Sequence, residues 1–129
     1  MISAKWFVQT EFDSPDAPGS GAKMNPELIA KLDALRDACG FVFHINSAYR
    51  TADHNKKVGG VPGSAHELGQ AVDISTVTGF QKFTLLKHAF TLGFTRVGIG
   101  SSFVHLDVDG TKPAPVVWTY PSGKNAGMA

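Results

Sequence analysis

The sequence predicts an α+β fold, with a small, mainly antiparallel sheet and helices packed on one of its faces. Three observations support this prediction. Two long segments repeat apolar residues at helical spacing, and four short segments have the alternation or composition of strands. The last two strand segments are joined through Ser101 and Ser102. A connection this short cannot form a parallel crossover, so these two strands should pair antiparallel.

Length and composition indicate one domain spanning residues 1–129, with about residues 120–129 forming a disordered tail. The chain has 43% hydrophobic and 18% charged residues, which are ordinary values for a globular domain.

Cys39 is the only cysteine, so neither an internal disulfide nor a thiolate metal cage is available. Any metal ion must therefore be held by histidine and carboxylate side chains. We expect a monomer.

The charge and hydropathy patterns exclude two classes of partner. The net charge is +1 and no stretch is strongly basic, which argues against nucleic-acid binding. No run approaches the roughly 20 apolar residues of a membrane-spanning helix, so we expect no membrane insertion. The first residues lack the apolar core of a signal peptide. We therefore expect synthesis in the cytoplasm, and any export would need another route.

The helices are marked by their caps. Asn25 and Pro26 suit the start of the first long helix, and Gly40 suits its end. Its buried stripe is predicted to be Leu28, Ile29, Leu32, Leu35 and Cys39. A short helix over residues 52–57 follows Thr51, and the second long helix opens at Thr78 or Gly79 and ends at Gly93. Its predicted buried stripe is Phe80, Phe83, Leu86 and Phe90.

The predicted strands place polar side chains on one shared face. In "FVHLDV" (103–108), Val104 and Leu106 point to the core, so His105 and Asp107 lie on the opposite face. In "QAVDIS" (70–75), the same alternation puts Asp73 on the face opposite its apolar neighbours. If the two strands are neighbours, Asp73 and His105 converge. His66 lies in the preceding loop and can fold back over them. The other strands are "FVFHINS" (41–47) and "TRVGIG" (95–100).

A His–Asp–His set is a suitable ligand group for one zinc ion. Catalytic zinc has three protein ligands and a fourth position for water, whose pKa it lowers, and it polarises a carbonyl. These are the requirements for hydrolysing a peptide bond. A lone loop histidine such as His66 is, however, more often simply hydrogen-bonded, and Asp73 alone could be an exposed strand residue. The residues by themselves leave the metal site and an ordinary polar cluster open.

Two motifs resemble a known family. "SAYRTADHNKKVGGVPGSAHELGQAVDIS" followed by "GIGSSFVHLDV" closely resembles the zinc D-Ala-D-Ala carboxypeptidases, and within them the branch of phage endolysins and small cell-wall peptidases. The resemblance covers roughly residues 24–109. It implies the fold shared with the hedgehog signalling domain, and zinc (Zn2+, one ion) bound by His66, Asp73 and His105.

The resemblance also suggests how catalysis occurs and where this chain departs from the family. Arg50 matches a family arginine that binds the substrate carbonyl or carboxylate, a task suited to a forked, permanently charged guanidinium. Many members place an acidic general base three residues before the last zinc histidine, but that position here is Ser102. Asp107 is the nearest acidic candidate. It either acts as the base or orients a zinc ligand.

The expected function is a zinc-dependent peptidoglycan peptidase, and more narrowly a phage endolysin that lyses its host. The bond cut in the stem or cross-link peptide is either D-Ala-D-Ala or L-Ala-D-Glu. The alternative is a non-catalytic, zinc-stabilised module that binds the cell wall or a protein, because a fold does not fix a function. Trp118 and Tyr120 either line a substrate cleft or anchor the tail to the core.

Overall fold

The structure is a computed structural model that describes residues 2–121. Its α-helices are α1 (Pro26–Cys39), α2 (Ala52–Lys57) and α3 (Gly79–Thr91), and two short 3-10 helices, Gln9–Phe12 and Ser20–Lys23, precede them. Its strands are β1 (Ile45–Ser47), β2 (Ala71–Ser75), β3 (Arg96–Ile99), β4 (Phe103–Asp107) and β5 (Val116–Thr119). The predicted disordered tail lies, apart from its first two residues, outside the described residues.

The five strands form one sheet in the order β1-β2-β4-β3-β5. The β1–β2, β2–β4 and β3–β4 pairs are antiparallel, and only β5 runs parallel to its neighbour β3. The α+β prediction with a mainly antiparallel sheet is therefore confirmed, including the antiparallel pairing across the short β3–β4 connection. In the described part of the chain, no helix is long and apolar enough to cross a membrane.

The core lies between the long helices and one face of the sheet. Val72 and Ile74 of β2 and Val104 and Leu106 of β4 are all fully buried there. The stripe of α1 was predicted correctly, although Cys39 at its end is only half-buried. The caps also agree: the Asn25 side chain accepts from the Glu27 backbone N–H at 2.9 Å. The polar residues Asp73 and His105 lie on the opposite face of β2 and β4.

The prediction for the buried face of α3 was wrong for its three phenylalanines, whereas Leu86 is partly buried against the core as predicted. Phe80, Phe83 and Phe90 are 74%, 68% and 48% exposed, whereas Leu85 and Ala89 are fully buried. The helix carries two apolar series at helical spacing, so periodicity alone could not select between them. The small Ala89 and the aliphatic Leu85 face α1 and the sheet, and the bulky rings lie outside.

The sheet also differs from the prediction at both edges. Residues 41–44 precede the paired part of β1, and Phe43 is buried beside the ring of Phe7 instead. At the other edge, β5 forms after Gly110, in a segment for which no strand was predicted. Its sequence, "VVWT", has the β-branched and aromatic residues that favour strands.

Candidate metal centre

One row of residues crosses all five strands and carries the site. The registers pair Ser47 with Asp73, Asp73 with His105, His105 with Gly98, and Gly98 with Trp118. Residues paired in this way have side chains on the same face of a sheet. The sequence-based expectation that Asp73 and His105 converge is therefore confirmed by the pairing of β2 with β4.

His66 reaches the row from the loop before β2. The Ser64 hydroxyl accepts from the His66 backbone N–H at 3.2 Å, and the Arg50 backbone N–H donates to the His66 carbonyl at 3.1 Å. Gly69 then turns the chain into β2 with φ +69°, and a Cβ there would lie 2.2 Å from the Lys23 carbonyl oxygen. Only glycine fits this close approach. The loop thereby holds the His66 ring over Asp73.

Three potential ligand atoms meet in a buried cluster. His66 Nε2 lies 3.1 Å from Asp73 Oδ2, and His105 Nδ1 lies 2.9 Å from Asp73 Oδ1. The ligand atoms of these three residues are all within 4.8 Å of one another. Ligands about 2.1 Å from a common tetrahedral zinc lie about 3.4 Å apart, which is close to these separations. The cluster could therefore hold one divalent metal ion.

The chemistry of the His66–Asp73 contact favours a cation between the two residues. His66 Nδ1 lies 2.7 Å from the Ala48 carbonyl oxygen, which can only accept, so Nδ1 carries the hydrogen. Burial lowers the pKa of His66, which favours the neutral ring with a lone pair on Nε2. That buried atom has no hydrogen-bond partner among residues 2–121. It faces a carboxylate oxygen, another acceptor, so a metal ion would satisfy both atoms.

His105 bridges two carboxylates through its two ring nitrogens. Nδ1 faces Asp73, and Nε2 lies 2.7 Å from Asp107 Oδ2. Burial alone would lower the pKa of His105, but its hydrogen bonds to Asp107 and Asp73 raise it overall. Metal binding at Nδ1 would replace the proton there and leave an Nε2–H that donates to Asp107. A carboxylate that accepts from the outer nitrogen of a ligand histidine fixes its tautomer and orientation.

Asp107 itself is held by a second strand. Arg96 Nε of β3 donates to Asp107 Oδ1 at 2.7 Å, and the Asp109 backbone N–H donates to the same oxygen at 3.1 Å. Burial would raise the pKa of Asp107, but the hydrogen bonds from His105 and Arg96 lower it overall. Both carboxylate oxygens therefore already accept hydrogen bonds, and the group is a weak base.

Arg50 lies beside Asp73 and is 1% exposed. Its Nε donates to Ser47 Oγ at 2.9 Å, one terminal nitrogen donates to Asn55 Oδ1 at 3.0 Å, and the other contacts Asp73 Oδ2 at 3.3 Å. The guanidinium thus places a positive charge beside the candidate metal ligands. Burial lowers its pKa, partly offset by Asp73, and arginine remains charged at any physiological pH.

Ser102, the position of the absent acid, is exposed, and some residues that support the cluster were missed. Sequence reasoning did not identify Arg96 or Asn55 as partners of Asp107 and Arg50. Arg96 shares the alternation of β3 with Gly98 and could have been found once the β3–β4 register was known. Asn55 on α2 carries no such signal.

Gly98 has a specific role in this row. A Cβ there would lie 2.6 Å from Trp118 Nε1 and 2.9 Å from Tyr120 Cε2. Because Gly98 has no side chain, the Trp118 indole can pack beside the His105 ring, with 5.3 Å between the ring centroids. The Arg96 guanidinium lies over the Trp118 ring, 5.0 Å from its centroid. The aromatic residues of β5 therefore border the candidate metal centre.

Comparison with known proteins shows the family to which the chain belongs. No curated protein sequence matches this chain. The model of the family described as peptidase M15 matches residues 6–107, which include every residue of the cluster. M15 peptidases are zinc-dependent, in agreement with the His–Asp–His cluster. The chain therefore belongs to the peptidase M15 family and is a metallopeptidase of that kind.

Proposed function

We propose that this protein hydrolyses a peptide bond in the stem or cross-link peptides of bacterial peptidoglycan, with one zinc ion held by His66, Asp73 and His105. The observation that carries the proposal is the buried acceptor pair, His66 Nε2 and Asp73 Oδ2, 3.1 Å apart beside His105 Nδ1. Such an arrangement is unfavourable without a cation. When bound, zinc supplies Lewis acidity and brings the pKa of coordinated water to about 7.

Arg50 provides the charge complementary to the reaction. Hydrolysis of an amide develops negative charge on the carbonyl oxygen, and fixed donors beside that oxygen stabilise the transition state. The Arg50 guanidinium is held by Ser47, Asn55 and Asp73, so its orientation is set before substrate binds. We infer that it stabilises the developing oxyanion or binds a substrate carboxylate.

For Asp107, the contacts favour the orienting role over the general-base role. A good general base has a pKa near the working pH, whereas hydrogen bonds from His105 and Arg96 lower the pKa of Asp107. Its carboxylate also lies at the Nε2 end of the His105 ring, opposite the nitrogen that faces Asp73. We infer that Asp107 positions His105.

The substrate class follows from the resemblance of the two motifs to phage endolysins and small cell-wall peptidases. We propose a phage endolysin that acts as a monomer on peptidoglycan in the cell wall or periplasm, with no nucleic-acid partner and no membrane insertion. The bond cut is D-Ala-D-Ala at the end of the stem or L-Ala-D-Glu near its start. In both bonds the residue that supplies the amide nitrogen carries a carboxylate, which suits the cationic Arg50.

Product mapping on purified peptidoglycan of known stem composition tests the proposal. Mass spectrometry of the products should show either free D-Ala or a new amino terminus at D-Glu, and a zinc chelator should abolish both. If zinc-loaded protein releases no new amino groups from peptidoglycan of any tested stem chemistry, the peptidase proposal fails. Zinc binding with wall binding but no turnover would favour the alternative, a zinc-stabilised binding module.

A further inference from the structure

Tyr120 packs against the aromatic residues that border the candidate metal centre. Tyr120 follows β5, and its backbone N–H donates to the Ile99 carbonyl at 3.2 Å, which continues the pairing with β3. Because it is two residues after Trp118, it shares the face of the sheet that carries His105. Its ring packs 5.0 Å from Phe103 and 6.4 Å from Trp118.

The hydroxyl oxygen of Tyr120 is buried and has no hydrogen-bond partner among residues 2–121. Burial and the negative charge of Asp73 raise the pKa of Tyr120, with a smaller opposing effect from the neighbouring Trp118 side chain. The phenol is therefore a protonated donor at any physiological pH. The Tyr120 ring lies against Gly98, where a Cβ would be 2.9 Å from Tyr120 Cε2, and Gly98 pairs with His105 across β3 and β4.

A buried donor without an acceptor is unfavourable, and such groups in native proteins call for an explanation. An anchoring tyrosine normally gains a partner for its hydroxyl, as tyrosines do when buried. The aromatic packing against Phe103 and Trp118 would be available to phenylalanine as well. An acceptor that arrives with the substrate explains why the hydroxyl is retained at this position.

We propose that Tyr120 is a catalytic hydrogen-bond donor whose hydroxyl donates to the scissile carbonyl oxygen as that oxygen gains negative charge. This inference rests on the proposed function and deepens it, because it assigns a second oxyanion donor on the β5 side of the row, opposite Arg50 near β1. Gly98 keeps the donor in position, because a side chain there would contact both the Trp118 and Tyr120 rings.

The test compares Tyr120→Phe with Tyr49→Phe, which removes the hydroxyl of the chain's other tyrosine. Zinc content, melting temperature, kcat and KM are measured on zinc-loaded protein with peptidoglycan fragments. Tyr120→Phe should lower kcat about 100-fold, the usual effect of removing one oxyanion donor, with KM, zinc content and melting temperature unchanged. Tyr49→Phe should leave all four values unchanged.

A second measurement separates this inference from the proposed function. Dimethylphosphinate, a small tetrahedral oxyanion, is titrated calorimetrically into the zinc-loaded proteins. Loss of one hydrogen bond to a charged acceptor should weaken its binding to Tyr120→Phe about 10- to 100-fold. If the wild-type protein cleaves no peptidoglycan, the proposed function fails and this comparison alone decides the role of Tyr120.

The inference is overturned if Tyr120→Phe keeps its kcat, or binds dimethylphosphinate as tightly as the wild type. It is also overturned if wild-type protein does not bind the phosphinate, or if the variant loses zinc or thermal stability, because the hydroxyl would then be structural.

Discussion

The two faces of the sheet differ in what the same strands contribute. On β2 and β4, Val72 and Leu106 are fully buried among apolar side chains, whereas Asp73 and His105, one residue away, are equally buried among charges. Burial of the apolar face stabilises the fold. Burial of the polar face is costly unless every group is paired or binds a metal. A substitution on the apolar face should therefore lower the free energy of unfolding, whereas a substitution at the adjacent residue on the polar face should impair metal binding.

The largest effect is expected from His105→Ala. It removes the Nδ1 that faces Asp73 and leaves the Asp107 carboxylate without its imidazole partner. Stoichiometric zinc binding and peptidoglycan hydrolysis should both be lost, as measured by metal analysis and by release of amino groups. Full activity in this variant would contradict the ligand assignment.

The matched control is Leu106→Ala, the next residue along β4. It is fully buried on the apolar face, so its loss should lower the free energy of unfolding by about 2–5 kcal/mol. Zinc should still bind at one ion per folded chain. If Leu106→Ala instead abolished zinc binding under conditions where it is folded, the separation between the two faces would be wrong.

Asp107→Asn distinguishes the two possible roles of Asp107 on the polar face. If Asp107 orients His105, its loss should weaken zinc affinity about 10- to 100-fold, and kcat should recover largely at saturating zinc. A general base would give the opposite pattern, with zinc affinity unchanged and the rate lower by about 10²-fold. Asp109→Asn is the control, because Asp109 bonds Lys112 and Thr111 rather than His105. Zinc affinity measured by competition with a chelator separates these results.

Gly98→Ala tests the part of the polar face that lacks a side chain. The new Cβ would lie 2.6 Å from Trp118 Nε1, so the indole must move away from His105. We expect a loss of about 1–3 kcal/mol in the free energy of unfolding from this overpacking and a shift in tryptophan fluorescence. A Cβ at Gly110 meets nothing within 4 Å, so Gly110→Ala should change neither. Equal behaviour of the two variants would refute the close approach of Trp118.

The smallest effect is expected on the outer side of α3. Phe83 is 68% exposed, so Phe83→Gln should change the free energy of unfolding by no more than about 0.5 kcal/mol. Leu85→Ala, two residues later and fully buried, should cost about 2–5 kcal/mol. Chemical denaturation of the two variants measures both. A larger loss of unfolding free energy for Phe83→Gln would instead support the buried stripe of α3 that was predicted from the sequence.

Strict two-residue alternation made the faces of β2 and β4 predictable. Once Val104 and Leu106 were assigned to the core, the direction of His105 followed without knowledge of the rest of the chain. The buried side of α3 was not predictable in this way, because its phenylalanines and its Leu85–Ala89 series both have helical spacing. The choice between them depends on the packing of α1 and the sheet.

The supporting contacts of the site depend on register and on the backbone. Asp107 and Arg96 are paired because β3 and β4 align them, and this alignment cannot be read from either strand alone. The hydrogen bond from His66 to the Ala48 carbonyl involves the backbone, so no residue type signals it. β5 was missed because the proline and glycine residues before it indicate irregular structure.

Zinc titration of metal-free protein, with hydrolysis of purified peptidoglycan followed at each addition, tests the zinc-dependent peptidase proposal. We expect product release to rise in proportion to added zinc and to reach its maximum at one ion per chain, and we expect His105→Ala to give no such rise. Binding of one zinc ion without any release of amino groups, or hydrolysis that does not depend on the metal, would contradict that proposal.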